Sequence, residues 1–243
     1  MSTLPGAERV LVIACGALAR EIAALKRASG WSALDVTCLP PQLHNRPERI
    51  PGEVRAAIRA ARARYPRIFV AYADCGTGGA LDRMLAEEAV ERLPGAHCYE
   101  FFATSAVFAA LADAEPGTFY LTDFLVRHFE RLVIRGLAID RHPQLAQQYF
   151  RHYRRVVYLA QVADAPLERQ ARAIAARLGL SYQQRATGYG ELAGSLARVA
   201  RDAGIGRDSG IGRDTGIGRD AGIGIVVERG GERAAGSTGA WPT

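Results

Sequence analysis

The sequence of 243 residues is poor in lysine and has no long apolar run. Lys26 is its single lysine, and the arginines alternate with alanine and glutamate along helix-like segments. The formal net charge of +6 is therefore spread over solvated helix faces, and we predict no nucleic-acid partner. No apolar run approaches the roughly 20 residues of a membrane span, so we predict no membrane partner either.

The first residues also lack the pattern of a secretory leader. In MSTLPGAERVLVIACG no basic segment precedes a long apolar stretch, and the first apolar run is too short for a signal sequence. We therefore expect a cytoplasmic protein. In a reducing compartment, four cysteines favour metal binding or catalysis over structural disulfides, and buried cysteines that only pack are the alternative.

Several common ligand-binding motifs are absent. No GK[ST] follows the glycine-rich segment ADCGTGGALD, which excludes a Walker loop, and the glycine spacing excludes a dinucleotide fingerprint. No CxxC pair occurs. A metal site would therefore be assembled from cysteines that lie far apart in the sequence.

Short apolar runs alternate with amphipathic segments along most of the chain. The apolar runs predict strands at residues 10–14, 35–39, 67–73, near 96, 118–121, 156–160 and 180–185, with helices between them, one of them over residues 101–112. Repeated βα units predict an α/β fold whose mostly parallel sheet or sheets carry helices on both faces. The pattern fits both a single sheet and two similar lobes with a sheet each. Residues 40–51 contain four prolines and are predicted to form a rigid loop.

The chain changes character after residue 201. We predict that residues 1–201 form the α/β domain. Residues 202–222 repeat a six-residue unit rich in glycine and poor in bulky side chains, which predicts a flexible insert. Residues 223–228 are a candidate last strand, and residues 229–243 are predicted to be a disordered tail.

Three of the four cysteines lie where a strand is predicted to give way to glycine or to a helix. Cys15 ends the first predicted strand, Cys75 follows the third, and Cys98 precedes a helix. The carboxyl ends of parallel strands meet at one sheet edge, where ligands bind. We therefore predict that the three thiols share one pocket. Such a set of soft ligands suits zinc or an iron–sulfur cluster.

A fourth ligand must come from elsewhere in the sequence. His44, in the proline-rich loop, is the first choice, followed by Cys38 and His97. An open fourth position for water or substrate is an equal alternative, and it would make the site catalytic.

The segment ADCGTGGALD supports two further hypotheses. Gly76, Gly78 and Gly79 permit a tight turn before a helix, whose free N–H groups would hold an anion or lower the pKa of the Cys75 thiol. The first hypothesis is a metal-free enzyme with Cys75 as nucleophile. The second is a module that binds a small anionic ligand. The simplest alternative is a tight turn with no ligand.

Other residues are secondary candidates for the site. Asp123 follows a predicted strand and is expected to cap the next helix, or to serve as a general base or as a partner of a ligand. His128 lies on that helix and is a candidate for proton transfer, or a packing histidine. In RATGYGEL, Gly188 and Gly190 are candidate backbone contacts to a cofactor, with a simple loop as the alternative.

The chain resembles the domain-of-unknown-function 1638 family of bacterial and archaeal proteins. The resemblance rests on IACGALAREI, LPPQLHNRPERI, YADCGTGGALD, ERLPGAHCYEFF, GTFYLTDFLVRHF, DRHPQL and TGYG. It implies a shared pocket, with family counterparts of Cys15, His44, Cys75, Cys98, Asp123, His128 and His142. It also implies an accessory role beside corrinoid-dependent methyl-transfer proteins, and it supplies no reaction.

These observations favour a cytoplasmic protein that binds a metal ion or an iron–sulfur cluster through Cys15, Cys75 and Cys98. We expect it to be accessory or catalytic in cofactor or one-carbon chemistry. Its expected partners are a small molecule or cofactor and, from the resemblance, corrinoid or methyltransferase proteins. The nucleophilic Cys75 and the anion-binding module are the alternatives.

Overall fold

The computed structural model describes residues 8–205 and the backbone of residues 226–227. These residues belong to two compact units. The first comprises residues 8–107 and 189–205, and the second comprises residues 108–188 with the strand at 226–227. The predicted α/β class is confirmed, because each unit holds a sheet of parallel strands joined by helices. Of the insert predicted at residues 202–222, the part from residue 206 onward lies outside the described residues, as does the tail predicted at residues 229–243. Within the candidate last strand at residues 223–228, residues 226–227 form a strand.

The elements follow the chain in strict βα alternation for most of its length. The strands are β1 (Val10–Cys15), β2 (Leu34–Leu39), β3 (Arg67–Ala71), β4 (Glu91–Arg92), β5 (Thr118–Thr122), β6 (Arg155–Ala160), β7 (Ser181–Ala186) and β8 (Val226–Val227). The helices are α1 (Ala19–Ala28), α2 (Ile50–Ala61), α3 (Ala80–Glu88), α4 (Cys98–Ala103), α5 (Ser105–Ala114), α6 (Asp123–Phe129), α7 (Gln144–Phe150), α8 (Ala165–Leu178) and α9 (Gly190–Asp202).

In the first unit, the four strands lie in the order β2-β1-β3-β4 and are all parallel. Every residue of β1 is buried, as expected for a central strand covered on both faces. The chain leaves β1 toward β2 and then returns past β1 to β3. Because such crossovers are right-handed in nearly all proteins, we expect α1 and α2 to cover opposite faces. The direction of winding reverses beside β1, and the carboxyl ends of β1 and β3 are therefore the place where open α/β sheets form a ligand-binding crevice.

The second unit holds a separate sheet in the order β5-β6-β7-β8. β5, β6 and β7 are parallel, and the two-residue β8 pairs antiparallel with β7. Helix α5 covers one face, where the Phe108 ring lies 5.1 Å from the Tyr120 ring and Arg155 donates to the Leu111 carbonyl. The apolar side chains of α6 and α8 pack on the other face.

Three local predictions are wrong. The strand predicted near Ala96 is instead the two-residue β4, which ends at Arg92. The proline-rich loop contains two short 3-10 helices, Pro41–Asn45 and Pro47–Arg49, because proline has a helical φ and loses nothing in the first turn, where its missing N–H has no partner. The helix predicted over residues 101–112 is broken at Thr104, whose φ is 72°.

Among the described residues, no helix is both long and apolar enough to cross a membrane.

Glycine at position 190 is required by close packing of the helix that it begins. Gly190 has a φ of +49°, and a Cβ there would lie 2.2 Å and 2.4 Å from the carbonyl oxygens of Phe101 and Phe102. Helix α9 therefore approaches the end of α4 too closely for any side chain. This steric role explains Gly190 without the cofactor contact that the sequence suggested.

We expect Gly190→Ala to lower the free energy of unfolding by about 2–4 kcal/mol, through steric overlap and the positive φ. Gly194→Ala is the matched control, because it lies inside α9 with nothing within 4 Å of its Cβ. It should be neutral or stabilising by up to about 1 kcal/mol. Urea unfolding checks both, and equal effects of the two variants would refute the close-packing role.

Candidate functional site

Two of the predicted thiols lie at the crevice beside β1. Cys15 is the last residue of β1, and Cys75 follows β3 by four residues. The parallel register pairs Ala14 with Ala71, so the next residues, Cys15 and Tyr72, lie side by side at the carboxyl ends of the two strands. This is the position where open α/β sheets bind ligands.

The proline-rich loop lies against both cysteine–glycine turns. A Cβ on Gly16 would lie 3.0 Å from the Cδ atom of Pro41, and a Cβ on Gly76 would lie 3.7 Å from the Cβ of Pro47. The loop thus covers the turns that carry Cys15 and Cys75.

His44 is carried on this loop and contacts the first thiol. Its Nδ1 lies 3.7 Å from the Cys15 Sγ and 3.1 Å from the carbonyl oxygen of Pro41. Because a carbonyl only accepts, Nδ1 carries the proton and Nε2 keeps its lone pair. Burial lowers the pKa of His44, so its imidazole is neutral at pH 7 and able to coordinate a metal.

The three predicted thiols interact with one another. Burial raises the pKa of Cys15 to about 12 and that of Cys75 to about 11, and it raises the pKa of Cys98 well above its usual value. Repulsion from the Cys75 thiolate adds to the shift of the Cys15 pKa, and repulsion from the thiolates of Cys75 and Cys15 adds to the shift of the Cys98 pKa. The three thiols are therefore protonated at neutral pH. The expectation of a lowered pKa at Cys75 is wrong.

The glycine-rich turn after β3 does not activate Cys75, because Asp74 occupies its N–H groups. The Asp74 carboxylate accepts from the N–H of Gly78 at 3.1 Å and of Gly79 at 2.9 Å, and from the Thr77 hydroxyl. An internal anion thus fills the predicted anion site. Gly76, the third predicted contact, lies against Pro47 instead.

The backbone at Cys75 has an unusual conformation. Its φ is +52°, a value that residues other than glycine rarely adopt because it costs conformational energy. The Cys75 N–H donates to the carbonyl of Ala96 at 2.8 Å, which ties this turn to the segment that precedes α4. The sulfur accepts from the N–H of Cys98. A strained turn therefore holds Cys75 against the start of α4.

Sequence reasoning missed Tyr72 as a member of the site. Its side chain is fully buried, and the hydroxyl hydrogen-bonds the Cys15 sulfur but has no partner of normal geometry among the described residues. Its ring is stacked on the His44 ring, with 6.2 Å between centroids and 13° between planes. The signal was a tyrosine inside the apolar run IFVAYA, where every other side chain is apolar.

The site is not closed around an ion. Within residues 8–205, no group of three His, Cys, Asp or Glu side chains is arranged closely enough to hold a metal ion. Of the alternative ligands, Cys38 is exposed on β2, and His97 precedes α4 and interacts electrostatically with His44.

Asp123 and His128 belong to the second unit. The N-cap of α6 is Thr122, whose hydroxyl accepts from the Leu125 N–H at 3.3 Å, so the prediction that Asp123 caps this helix is wrong. The Asp123 carboxylate is buried and accepts three hydrogen bonds, from the Tyr158 hydroxyl at 2.7 Å and from the N–H groups of Gln161 at 3.1 Å and Val162 at 3.2 Å. These contacts connect α6 to the end of β6.

His128 packs against an aromatic side chain of its own helix. Its ring lies 4.6 Å from that of Phe124 in an edge arrangement, at a kink where its φ is −119°. Gly188, the last predicted backbone contact, has a φ of +55°, and a Cβ there would meet nothing within 4 Å. The positive φ of this turn therefore explains why glycine occupies position 188.

One family matches the sequence. The sequence model described as "Protein of unknown function (DUF1638)" matches residues 38–196, about two thirds of the chain, and this confirms the resemblance. The match begins after Cys15 and includes His44, Cys75 and Cys98. No curated protein and no solved structure matches the chain.

We expect no cysteine to react selectively with iodoacetamide at pH 7, because the pKa of each of the four thiols is raised. Labelling should rise about tenfold per pH unit up to pH 9, since the thiolate is the nucleophile, with the exposed Cys38 fastest. Peptide mass spectrometry checks the order. Rapid labelling of Cys75 alone would contradict this expectation and support the hypothesis that Cys75 is a nucleophile.

Asp123→Asn should lower the free energy of unfolding by about 2–3 kcal/mol, because it replaces a charged acceptor and turns an NH₂ group toward backbone donors. Tyr158→Phe removes only one of the three hydrogen bonds that the Asp123 carboxylate accepts, and it should lower the free energy of unfolding by about 1 kcal/mol. Denaturant unfolding measures both. An Asp123→Asn protein as stable as wild type would show that the carboxylate is held for another purpose.

Proposed function

The chain belongs to the DUF1638 family, and from the geometry of its first unit we propose that it binds a thiophilic metal ion or an iron–sulfur cluster through Cys15, Cys75 and Cys98. The observation that carries the proposal is the convergence of three interacting thiols at the crevice between β1 and β3. His44 is the proposed fourth ligand, through Nε2 after rotation of its ring.

The two alternative functions have less support. A nucleophilic Cys75 requires a thiolate near neutral pH, and the raised pKa of about 11 argues against one. An anion-binding module requires free N–H groups at the start of α3, and Asp74 engages those of Gly78 and Gly79. Metal binding requires neither condition, because a metal ion displaces the thiol protons as it binds.

The side chains of the crevice fit a soft cation. Sulfur and imidazole nitrogen are the ligands that zinc, copper(I) and iron–sulfur clusters prefer. The buried Tyr72 hydroxyl lies against the Cys15 sulfur, which as a protonated thiol accepts weakly and as a metal-bound thiolate would accept more strongly. We propose that the three sulfur atoms move closer together when the ion binds and that the thiols lose their protons.

A bound ion would supply Lewis-acid chemistry, and a cluster would supply electron transfer. The residues of the chain would bind and enclose it: the proline-rich loop covers the crevice, and the buried strands exclude water from one side. We place this function in cofactor or one-carbon chemistry, with a small molecule and corrinoid-dependent methyl-transfer proteins as partners. This part of the proposal rests on the family resemblance.

The test is elemental analysis with a visible absorption spectrum, on protein purified without oxygen or chelator. We expect about one zinc per chain, or iron and sulfide with a charge-transfer band. The variant Cys15→Ser/Cys75→Ser/Cys98→Ser should lose the metal. Cys38→Ser is the matched control, because Cys38 is exposed on an edge strand, and it should keep the metal.

Cadmium(II) titration extends the test to protein that loses its metal on purification. Binding to three protonated thiols should release close to three protons at pH 7, and the affinity should fall steeply as the pH decreases. A wild-type protein that holds no metal and shows no cadmium–thiolate absorption would refute the proposal. So would equal cadmium binding by the triple variant.

A further inference from the structure

The Tyr72 hydroxyl has only a weak hydrogen-bond acceptor beside it. Tyr72 follows β3 directly, its side chain is completely inaccessible, and its oxygen hydrogen-bonds the Cys15 sulfur without, among the described residues, any partner of normal geometry. A protonated thiol is a weak acceptor, so phenylalanine would fill the same volume at little cost in the metal-free protein. The hydroxyl is better explained by a state in which the sulfur accepts strongly.

The surroundings of the hydroxyl are sulfur atoms. The pairing of β1 with β3 places Tyr72 beside Cys15, and the hydroxyl interacts electrostatically with the sulfurs of Cys15 and Cys75. The His44 ring is stacked on the phenol ring and limits where the phenol can turn. The hydroxyl is therefore confined among the proposed ligands.

The strength of an O–H···S hydrogen bond depends on the charge of the sulfur. A protonated thiol is a weak acceptor, whereas hydrogen bonds to charged acceptors are roughly twice as strong as neutral ones. Coordination of a metal removes the thiol proton and leaves negative charge on sulfur. Groups that donate to metal ligands orient them and adjust the properties of the metal.

We propose that the Tyr72 hydroxyl is the hydrogen-bond donor that stabilises the Cys15 thiolate when the thiol centre holds a metal. The inference rests on the proposed function and adds a positioning residue to it. The Cys15 sulfur already accepts one hydrogen bond, from the N–H of Ala17 at 3.4 Å, and Tyr72 supplies a second donor on the side of β3. Two donors on one sulfur would hold it in a fixed direction toward the crevice.

The test is Tyr72→Phe, with cadmium(II) as the probe. We expect the variant to bind cadmium at least tenfold more weakly than wild type, as a lost hydrogen bond to a charged group implies. The cadmium–thiolate absorption should shift to longer wavelength, because a thiolate without its donor transfers charge more readily. In contrast, the metal-free variant should melt at about the same temperature as wild type, since it loses only a weak hydrogen bond to a protonated thiol.

Tyr65→Phe is the matched control. Tyr65 lies in the same unit, is nearly as buried, and donates to Asp35 at 2.9 Å, away from the thiols. It should lower the melting temperature and leave the cadmium affinity and absorption unchanged.

The outcomes separate the two proposals. If wild type binds cadmium through the three cysteines and Tyr72→Phe binds it equally well with the same absorption, the role of Tyr72 is refuted and the thiol centre stands. If Tyr72→Phe binds cadmium more weakly but also melts lower without metal, packing explains the loss and the role is again refuted. If wild type binds no cadmium, both proposals fail.

Discussion

The position of β1 between β2 and β3 is the constraint on which the candidate site depends. Right-handed crossovers force the helices that follow β1 and β2 to opposite faces, so the chain separates at the carboxyl ends of β1 and β3. Cys15 ends one strand, and Tyr72 and Cys75 follow the other. With a different strand order, these residues would lie at separate places on the sheet edge, and the proline-rich loop would have no crevice to cover.

Burial determines the chemistry of this crevice. The same apolar packing that stabilises the central strands raises the pKa of the thiols and lowers the pKa of His44, so the site is uncharged at neutral pH. The Asp74 carboxylate beside Cys75 is held by the N–H groups of its own turn. A neutral, sulfur-rich crevice differs in kind from the activated-thiol and anion sites that the glycine-rich motif suggested.

The second unit shows how an apparent catalytic residue can be structural. Asp123 follows a strand and is buried, which are features of a general base, yet its carboxylate accepts three hydrogen bonds from β6 and the turn that follows. Two of the donors are backbone N–H groups nearly forty residues away in the sequence, so no local sequence pattern predicts them. Gly190 is a similar case, because its neighbours are the carbonyl groups of another helix.

The alternation of apolar runs with amphipathic segments determined the α/β class, and the position of cysteines at strand ends predicted which residues belong to the candidate site, because both depend on local periodicity. Cys15, His44, Cys75 and Cys98 could be selected from the sequence in this way. The strand order, the division into two sheets, the filling of the N–H groups by Asp74 and the contact of the Tyr72 hydroxyl with the Cys15 sulfur were decided only by the tertiary structure. Each of these depends on contacts between residues that are distant in sequence or on the direction of one side chain in a turn, and neither is encoded in the spacing of residue types.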